Sequence, residues 1–369
     1  MRGVNWLGDA VMTTPALQRL REALPDAHIT LLAPDKLADL WQHHPSLDSF
    51  LSIPPGAGPW SVAARLRAGA FKIALVLPNS HRAALEVWLA GIPRRIGHAR
   101  PWRNWLLTQP LPPRPGHTPM PKRSVGEINR LIRLPPTPPA PSTPTSAHQI
   151  HDWLHLAAAL GASTEPLQPS LEVTVAEVQQ AEANLLSDWR NSAPRSASGQ
   201  PPIFLGLIPG AEYGPAKRWP AENFAAVARA VSQRVNNCLW IALGTPADWP
   251  VCDTIARRVA GGHVLNLAGK TSLRQLMALL KLCRLVLTND TGPMHVAAAL
   301  GTPVVVPFGS TSPELTGPGL PGDPRHRLLK SAAPCSPCFR RACPIDFRCM
   351  TGISPDRVAE SVLSLLRLS

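Results

Sequence analysis

The turn Asn289-Asp-Thr-Gly-Pro293 combines residue types that could bind a phosphate group. The apolar run before it predicts a buried parallel strand, and His295 to Leu300 after it predict a short helix. A helix start within the turn would present backbone N–H groups and a partial positive charge, and Gly292 would let an anion approach the backbone closely. The alternative is an ordinary helix start in an α/β sheet, capped by Asp290 or Thr291.

A second glycine-bearing loop, residues 209–220, lies between an apolar run that ends at Leu207 and a predicted helix over residues 221–234. Its Lys217 and Arg218 would stand beside the helix start, where cationic side chains could face the phosphates of a ligand. The alternative is a solvated basic pair before a helix. Because the chain offers two such loops on one predicted sheet, the phosphate-binding interpretation is favoured.

Four segments resemble motifs of a known family: Asn5-Trp-Leu-Gly-Asp9, Val76-Leu-Pro-Asn-Ser80, Pro209-Gly-Ala-Glu-Tyr-Gly-Pro-Ala-Lys-Arg-Trp-Pro220 and Thr288-Asn-Asp-Thr-Gly-Pro-Met-His-Val-Ala-Ala-Ala299. The chain is similar to the bacterial ADP-heptose:lipopolysaccharide heptosyltransferases from its first residues to about Phe308. The loop 209–220 is the most specific of these motifs, because a chance match of that length and complexity is improbable.

The resemblance implies an inverting glycosyltransferase that moves L-glycero-D-manno-heptose from ADP-heptose to a phosphorylated lipid A-core acceptor. Within the family, the loop 209–220 favours the members that add the second heptose, with heptosyl-Kdo2-lipid A as the acceptor. Three alternatives stay open: transfer of the first heptose, transfer to another surface glycan, and a nucleotide-binding homologue with impaired catalysis.

The resemblance also implies roles for single residues. Asp9 would be the general base that takes the acceptor proton, although it could instead cap the helix that follows it. Lys217 would neutralise charge on the leaving ADP together with backbone N–H groups at the helix start, so we expect neither a required metal nor a cofactor. The other donor-binding candidates are Glu212, Tyr213, Arg218, Thr245, Asp290, Thr291, Gly292 and His295, the last of which could instead pack inside its helix.

The acceptor-binding candidates are Asn79, Ser80, Arg94, Arg95 and Arg100. The arginines belong to a basic stretch that also includes Arg103 and could contact an anionic membrane surface, or could simply form a solvated basic face. The acceptor expected from the resemblance is a phosphorylated lipid displayed on the inner leaflet, which favours the membrane contact.

Alternating strand and helix patterns predict an α/β fold with parallel sheets covered by helices on both faces. The resemblance implies the GT-B architecture, in which two Rossmann-like, doubly wound domains face each other across a cleft. We predict an N-terminal domain over residues 1–168 that includes a proline-rich loop at 110–146, and a C-terminal domain over residues 169–352. A C-terminal helix within residues 353–369 is expected to pack back on the N-terminal domain.

The start of the chain departs from the family pattern. Family members begin with an apolar strand, whereas this sequence offers only Met1-Arg2-Gly3-Val4 before the Asn-Trp-Leu-Gly-Asp turn. The first strand is therefore expected to be short and to leave the centre of the first sheet poorly filled. That defect is the basis of the alternative with impaired catalysis.

Composition narrows the possible partners. The 369 residues carry a formal net charge of +13, which implies an anionic partner such as nucleic acid, anionic lipid or a phosphorylated glycan. Nucleic acid is disfavoured because no helix-turn-helix, zinc-finger or aromatic RNA-binding pattern is visible. The sequence shows neither a membrane-spanning run nor a signal peptide, so we expect a cytoplasmic protein that can lie peripherally on the inner membrane.

Four of the seven cysteines are clustered, at Cys335, Cys338, Cys343 and Cys349. Four soft ligands within 15 residues could bind zinc or an iron–sulfur cluster. Their spacing matches no standard site, and in a reducing cytoplasm free thiols or a labile disulfide are the alternatives.

Overall fold

The computed structural model describes residues 1–133, 143–192, 202–235, 237–259, 261 and 263–368. All strand pairings in this part of the chain are parallel, which confirms the predicted α/β class. The strands are β1 (Thr30–Pro34), β2 (Ser49–Ile53), β3 (Ile73–Val76), β4 (Arg94–His98), β5 (Gln109–Leu111), β6 (Ile203–Ile208), β7 (Cys238–Ala242), β8 (Val264–Asn266), β9 (Leu285–Thr288), β10 (Val304–Phe308) and β11 (Arg327–Lys330).

Helices connect these strands, as parallel pairing requires. They are α1 (Leu7–Met12), α2 (Thr14–Ala23), α3 (Pro59–Ala68), α4 (His81–Leu89), α5 (Val125–Leu131), α6 (Ile150–Ala158), α7 (Val175–Ser192), α8 (Ala221–Ser232), α9 (Trp249–Arg258), α10 (Leu273–Leu282), α11 (Gly292–Ala299), α12 (Pro313–Thr316), α13 (Arg348–Thr351) and α14 (Pro355–Leu368). The chain divides into two compact units: unit 1 holds residues 1–118 and 146–172, and unit 2 holds residues 119–145 and 173–369.

The first residues of the chain join the two parts of the unit 1 sheet. Arg2 forms parallel bridges to Leu32 of β1 and to Val76 of β3, so the order across the sheet is β2-β1-Arg2-β3-β4-β5. The first strand is therefore short, as expected. The centre of the sheet is nevertheless filled, contrary to the expectation. The Arg2 backbone bonds to Leu75 and Leu77 on the β3 side, the backbones of Met1 and Gly3 bond to Leu32 of β1, and the buried Arg2 side chain pairs with Glu86 at 2.9 Å.

Unit 2 contains one six-stranded sheet in the order β8-β7-β6-β9-β10-β11. The chain first builds outward from β6 to β8 and then continues on the other side of β6 with β9, so the winding direction reverses between β6 and β9. In doubly wound sheets ligands bind beyond the carboxyl ends of the strands at such a reversal. Unit 1 has the same order if Arg2 is counted as its first strand, with the reversal between Arg2 and β3.

Two features of the units differ from the predicted domains. The C-terminal helix α14, expected to pack on the N-terminal domain, belongs to unit 2, where it packs on α8, β9 and β10 and where Val358 and Val362 enter the core. Part of the proline-rich segment belongs to unit 2 as well, because Ile128 of α5 is buried against Cys335 and Cys338. Residues 134–142 of that segment lie outside the described residues.

Candidate active site

The loop 209–220 is fastened at both ends by one buried side chain of unit 2. Asn289, which follows β9, donates from Nδ2 to the Pro209 carbonyl at 2.7 Å and accepts from the Trp219 N–H at 3.0 Å. The buried Trp219 indole in turn donates to the Ile353 carbonyl at 3.1 Å. The loop therefore leaves β6 and enters α8 along a path fixed by the neighbouring strand end. Asn289 lies inside a quoted motif, yet the sequence analysis gave it no role.

Lys217 and Asp290 are brought together at the reversal between β6 and β9. The Lys217 Nζ atom lies 2.6 Å from the Asp290 carboxylate, which is 4% exposed, whereas the lysine side chain is 14% exposed. Thr311 also donates its hydroxyl to this carboxylate. Asp290 thus holds the lysine in place at the carboxyl edge of the sheet. Thr311 was missed by the sequence analysis because it follows β10 in a stretch without a motif.

Helix α11 begins beside this ion pair. Thr291 is its N-cap residue in extended conformation, and its side chain makes no capping hydrogen bond. Gly292 and Pro293 open the first turn. Pro293 has no N–H and the Met294 N–H donates to the Thr291 carbonyl at 3.0 Å, so Thr291 and Gly292 carry the N–H groups that the phosphate-binding prediction needs. His295 is 5% exposed, which agrees with the alternative that it packs inside the helix.

The other predicted donor-binding residues lie in two segments, the loop 209–220 and the loop after β7. Tyr213 donates its hydroxyl to the Phe339 carbonyl at 2.8 Å, and its ring centroid lies 4.9 Å from the Lys217 ammonium. Glu212 and Arg218 are exposed on the same loop. Thr245 follows β7, the next strand of the sheet, and donates its hydroxyl to Asp248 at 2.7 Å.

Asp248 is a further residue that the sequence analysis missed. A Cβ atom on Gly210 would lie 2.4 Å from the Asp248 carboxylate, and one on Gly244 would lie 2.8 Å from its Cβ. Asp248 therefore fills the space between the start of the loop 209–220 and the loop after β7. Two glycines in separate segments are the signal that could have indicated this close approach.

In unit 1, Asp9 lies in the first turn of α1 and is half-buried. The alternative role of Asp9 was to cap the helix. The N-cap residue of α1 is Trp6, so Asp9 does not occupy the capping position. Helix α1 is separated from α2 by Thr13, whose hydroxyl donates to the Ala10 carbonyl at 2.7 Å. Asp9 therefore occupies a short separate helix directly after the first strand.

The predicted acceptor residues are split between the two edges of the unit 1 sheet. Asn79 and Ser80 follow the carboxyl end of β3, where Ser80 caps α4 by accepting from the Ala83 N–H at 3.3 Å. Arg100 follows the carboxyl end of β4, so these three residues share the edge at which ligands bind.

Arg94 and Arg95 lie at the other edge, because they begin β4. Four residue steps of a strand separate Arg94 from His98 at the carboxyl end, which is roughly 13 Å. Arg94 donates to the Gln109 side chain and the Ala159 carbonyl, and Arg95 donates to the Leu106 carbonyl at 2.7 Å. The structure therefore gives both arginines local structural partners and does not group them with Arg100.

The carboxyl edge of unit 1 also contains buried basic groups. Arg103 is 1% exposed and donates to the Pro78 carbonyl at 2.7 Å, and burial, followed by the charge of Arg100, lowers its pKa to about 10. Burial lowers the pKa of His98 to about 4, so His98 is neutral at pH 7. Trp102 and Trp105 beside them are 86% and 62% exposed.

The clustered cysteines lie in unit 2 as free thiols. Burial, followed by the three neighbouring thiols, raises the pKa of Cys349 to about 12. Within the described part of the chain, no three or more His, Cys, Asp or Glu side chains are grouped so that they could hold a metal ion. That no metal is required stays a prediction. Among the same residues, no helix has both the length and the apolar character needed to cross a membrane.

Comparison with known proteins gives consistent matches. The family model of glycosyltransferase family 9 (heptosyltransferase) matches residues 139–347. Lipopolysaccharide heptosyltransferase 2 of Salmonella typhimurium is 30% identical over 326 residues, which cover 86% of this chain and 84% of that protein. The lipooligosaccharide heptosyltransferase 2 of Haemophilus ducreyi is 29% identical over 330 residues, with the same coverage of both chains.

Solved structures match the whole chain. The structure of E. coli ADP-heptose lps heptosyltransferase II is 26% identical, covers 100% of this chain and 98% of its own, and has a TM-score of 0.72. A glycosyltransferase family 9 protein from Veillonella parvula superposes with a TM-score of 0.76 at 23% identity, which supports the fold alone. The two Rossmann-like units are thus those of the predicted GT-B class.

Proposed function

The chain belongs to glycosyltransferase family 9, the heptosyltransferase family, and from this premise we propose that it transfers L-glycero-D-manno-heptose from ADP-heptose to heptosyl-Kdo2-lipid A. It is a glycosyltransferase, and its relatives of similar length carry the name heptosyltransferase 2. Transfer of a second heptose in lipopolysaccharide core synthesis is the function that these relatives support.

The Lys217–Asp290 pair is the single observation that carries the proposal. It stands at the reversal of strand order between β6 and β9, where a doubly wound sheet binds its ligand, and beside the start of α11. A nucleotide diphosphate placed there would receive a lysine ammonium and helix N–H groups at once. These groups can stabilise part of the charge that develops on the departing ADP, and the proposed reaction uses no divalent metal.

The reaction is a single displacement. Asp9 takes the proton from the acceptor hydroxyl while its oxygen forms a bond to the anomeric carbon of heptose. The bond from that carbon to the diphosphate oxygen breaks, and ADP leaves with the bonding electron pair. Because attack and departure occur on opposite faces of the sugar, the anomeric configuration is inverted. This role requires that the two units face each other across a cleft, as in the GT-B architecture.

The acceptor side is proposed at the carboxyl edge of unit 1. Asn79, Ser80 and Arg100 lie there with the buried Arg103, whereas Arg94 and Arg95 begin β4 and are left out of this set. Exposed Trp102 and Trp105 add amphipathic rings, which favour a membrane–water interface. The protein would then act at the inner face of the cytoplasmic membrane, where its acceptor lipid is displayed.

The alternative with impaired catalysis loses its main argument, since Arg2 bridges both halves of the unit 1 sheet. The variant Asp9→Asn distinguishes an active transferase from a nucleotide-binding homologue with impaired catalysis. We expect turnover to fall by roughly 10²–10⁴-fold, which is the usual contribution of general-base catalysis, while the Kd for ADP stays within about twofold. Asp35→Asn, an exposed carboxylate elsewhere in unit 1, is the control and should keep full turnover. Wild-type protein that binds ADP but forms no product would instead identify a nucleotide-binding homologue.

A further inference from the structure

The loop 335–349, called the cysteine loop below, forms the support of the donor loop 209–220. The Ala216 N–H donates to the Arg341 carbonyl at 3.0 Å. Gly214 has a φ of +149°, and a Cβ atom on it would lie 2.5 Å from the same carbonyl oxygen. The two backbones approach so closely that only glycine fits at this position. The position of Arg341 relative to Lys217 is therefore fixed by backbone contacts.

Tyr213 brings the side chains of these two loops together. The Lys217 ammonium lies 4.9 Å from the centroid of the Tyr213 ring, and the Arg341 guanidinium carbon lies 5.2 Å from the same centroid. The ring itself is held by the hydrogen bond from its hydroxyl to the Phe339 carbonyl at 2.8 Å. Both cations are within the range at which an aromatic face attracts a positive charge, so the ring acts as a common platform for them.

A diphosphate at this place needs more positive charge than Lys217 supplies. The lysine is paired with Asp290 at 2.6 Å, so the pair carries no net charge. A nucleoside diphosphate carries at least two negative charges, and the helix start contributes about half a positive charge. Arg341 is an exposed cation at the same Tyr213 ring as Lys217, and a guanidinium can donate two parallel hydrogen bonds to one phosphate group.

We propose that Arg341 is a second donor-binding cation, which contacts the diphosphate of the nucleotide sugar together with Lys217. The inference rests on the proposed function and extends it to the cysteine loop, whose task is to hold Arg341 beside the donor loop and to fix the Tyr213 ring through the Phe339 carbonyl. Neither the motifs nor the spacing around Arg341 indicated such a role.

Binding of ADP and AMP to the full chain, measured by calorimetry, tests this role. Arg341→Ala should weaken ADP binding by about 10- to 100-fold, the usual effect of a lost charge-assisted hydrogen bond, but weaken AMP binding by less than about threefold. Arg341→Lys keeps the charge but loses the paired donors, so its affinity for ADP should be intermediate. Arg348→Ala is the matched control, because Arg348 lies in the same loop but pairs with the exposed Asp346 at 2.8 Å.

Gly214→Ala provides a second, independent variant. It leaves both cations in the chain but forces the cysteine loop away from the donor loop, so it should cause the same selective loss of ADP affinity. An equal loss of ADP and AMP affinity in Arg341→Ala, or no loss at all, would overturn the inference. If Arg341→Ala does not fold, the ADP and AMP affinities of Arg341→Lys are compared with those of the wild type instead. Failure of the wild-type protein to bind ADP would instead count against the proposed function.

Discussion

Asn289 shows how one buried amide can determine the shape of a ligand-binding loop. Its two hydrogen bonds, to the Pro209 carbonyl and from the Trp219 N–H, connect the loop to the neighbouring strand end. The sequence predicted that the loop and its lysine act together with the later helix start, because glycine, lysine and a helix start have recognisable spacing, and Lys217 does lie beside Asp290 at that helix start. It could not identify Asn289, Thr311 or Asp248, because their roles depend on which strands are adjacent.

Asn289→Ala is predicted to damage both stability and donor binding. It leaves a buried carbonyl and a buried N–H without their partners, so the free energy of unfolding should fall by roughly 2–4 kcal/mol. The affinity for ADP should fall as well, because the path of the loop 209–220 is no longer fixed. Urea unfolding and ADP titration of the same variant measure the two effects.

Asn184→Ala is the control for that measurement. Asn184 is exposed on α7 and accepts from the Gln180 side chain, so its loss should change stability by less than about 0.5 kcal/mol. A similarly small change in Asn289→Ala would show that the loop does not depend on the buried amide.

At the scale of elements, the sequence predicted which helices and strands form better than it predicted where each of them packs. The helix α14 was predicted as an element, but it packs on α8, β9 and β10 of unit 2 and not where the sequence analysis expected it. A helical pattern shows which face is buried and does not show against what. Arg94 and Arg95 illustrate the same limit. The sequence shows that both residues are basic, but the edge of the sheet at which they lie depends on the residue at which β4 begins.

The attachment of α14 gives a prediction. Leu363 is 6% exposed and belongs to the unit 2 core, so Leu363→Ala should lower the free energy of unfolding by about 2–5 kcal/mol. Because the lost contacts belong to the unit that holds Lys217, added ADP should raise the unfolding temperature of this variant, as it does for the wild type. Glu360→Ala, an exposed change on the same helix, should leave stability nearly unchanged. A stability of Leu363→Ala equal to that of Glu360→Ala would contradict the assigned packing.

At the scale of the whole molecule, both units repeat one order of strands. Asp9, Asn79 and Ser80 in unit 1, and Lys217 and Asp290 in unit 2, follow the strands that flank the reversal. The class of doubly wound parallel sheets followed from the sequence, because alternating strand and helix patterns allow few parallel arrangements. The docking of α5 on the cysteine loop did not follow, since a proline-rich segment carries no periodic pattern to indicate a partner.

The whole chain should lose stability in mild acid. Burial lowers the pKa of His44, His98 and His326 from 6.5 to about 4. Below pH 6.5 the unfolded chain binds more protons at these positions than the folded chain, so the free energy of unfolding falls as the pH decreases from 6.5 to about 4. Urea midpoints measured at several pH values in this window test the effect.

His326→Asn should reduce this pH dependence, since its amide oxygen can replace the Nδ1 atom that accepts from the Val304 N–H at 3.3 Å. His81→Gln, at an exposed position, should leave the pH dependence unchanged. Equal slopes for the wild type and His326→Asn would show that this histidine does not titrate between pH 6.5 and 4.

The most direct test of heptose transfer is the mass of the product. Purified protein is incubated with ADP-L-glycero-D-manno-heptose and a metal chelator in two parallel reactions. One reaction contains heptosyl-Kdo2-lipid A as the acceptor, and the other contains Kdo2-lipid A. The account predicts that the heptosylated acceptor gains one heptose with inverted anomeric configuration, and that Kdo2-lipid A does not react. Product from Kdo2-lipid A alone, or no product from either acceptor by a protein that binds ADP, would contradict it.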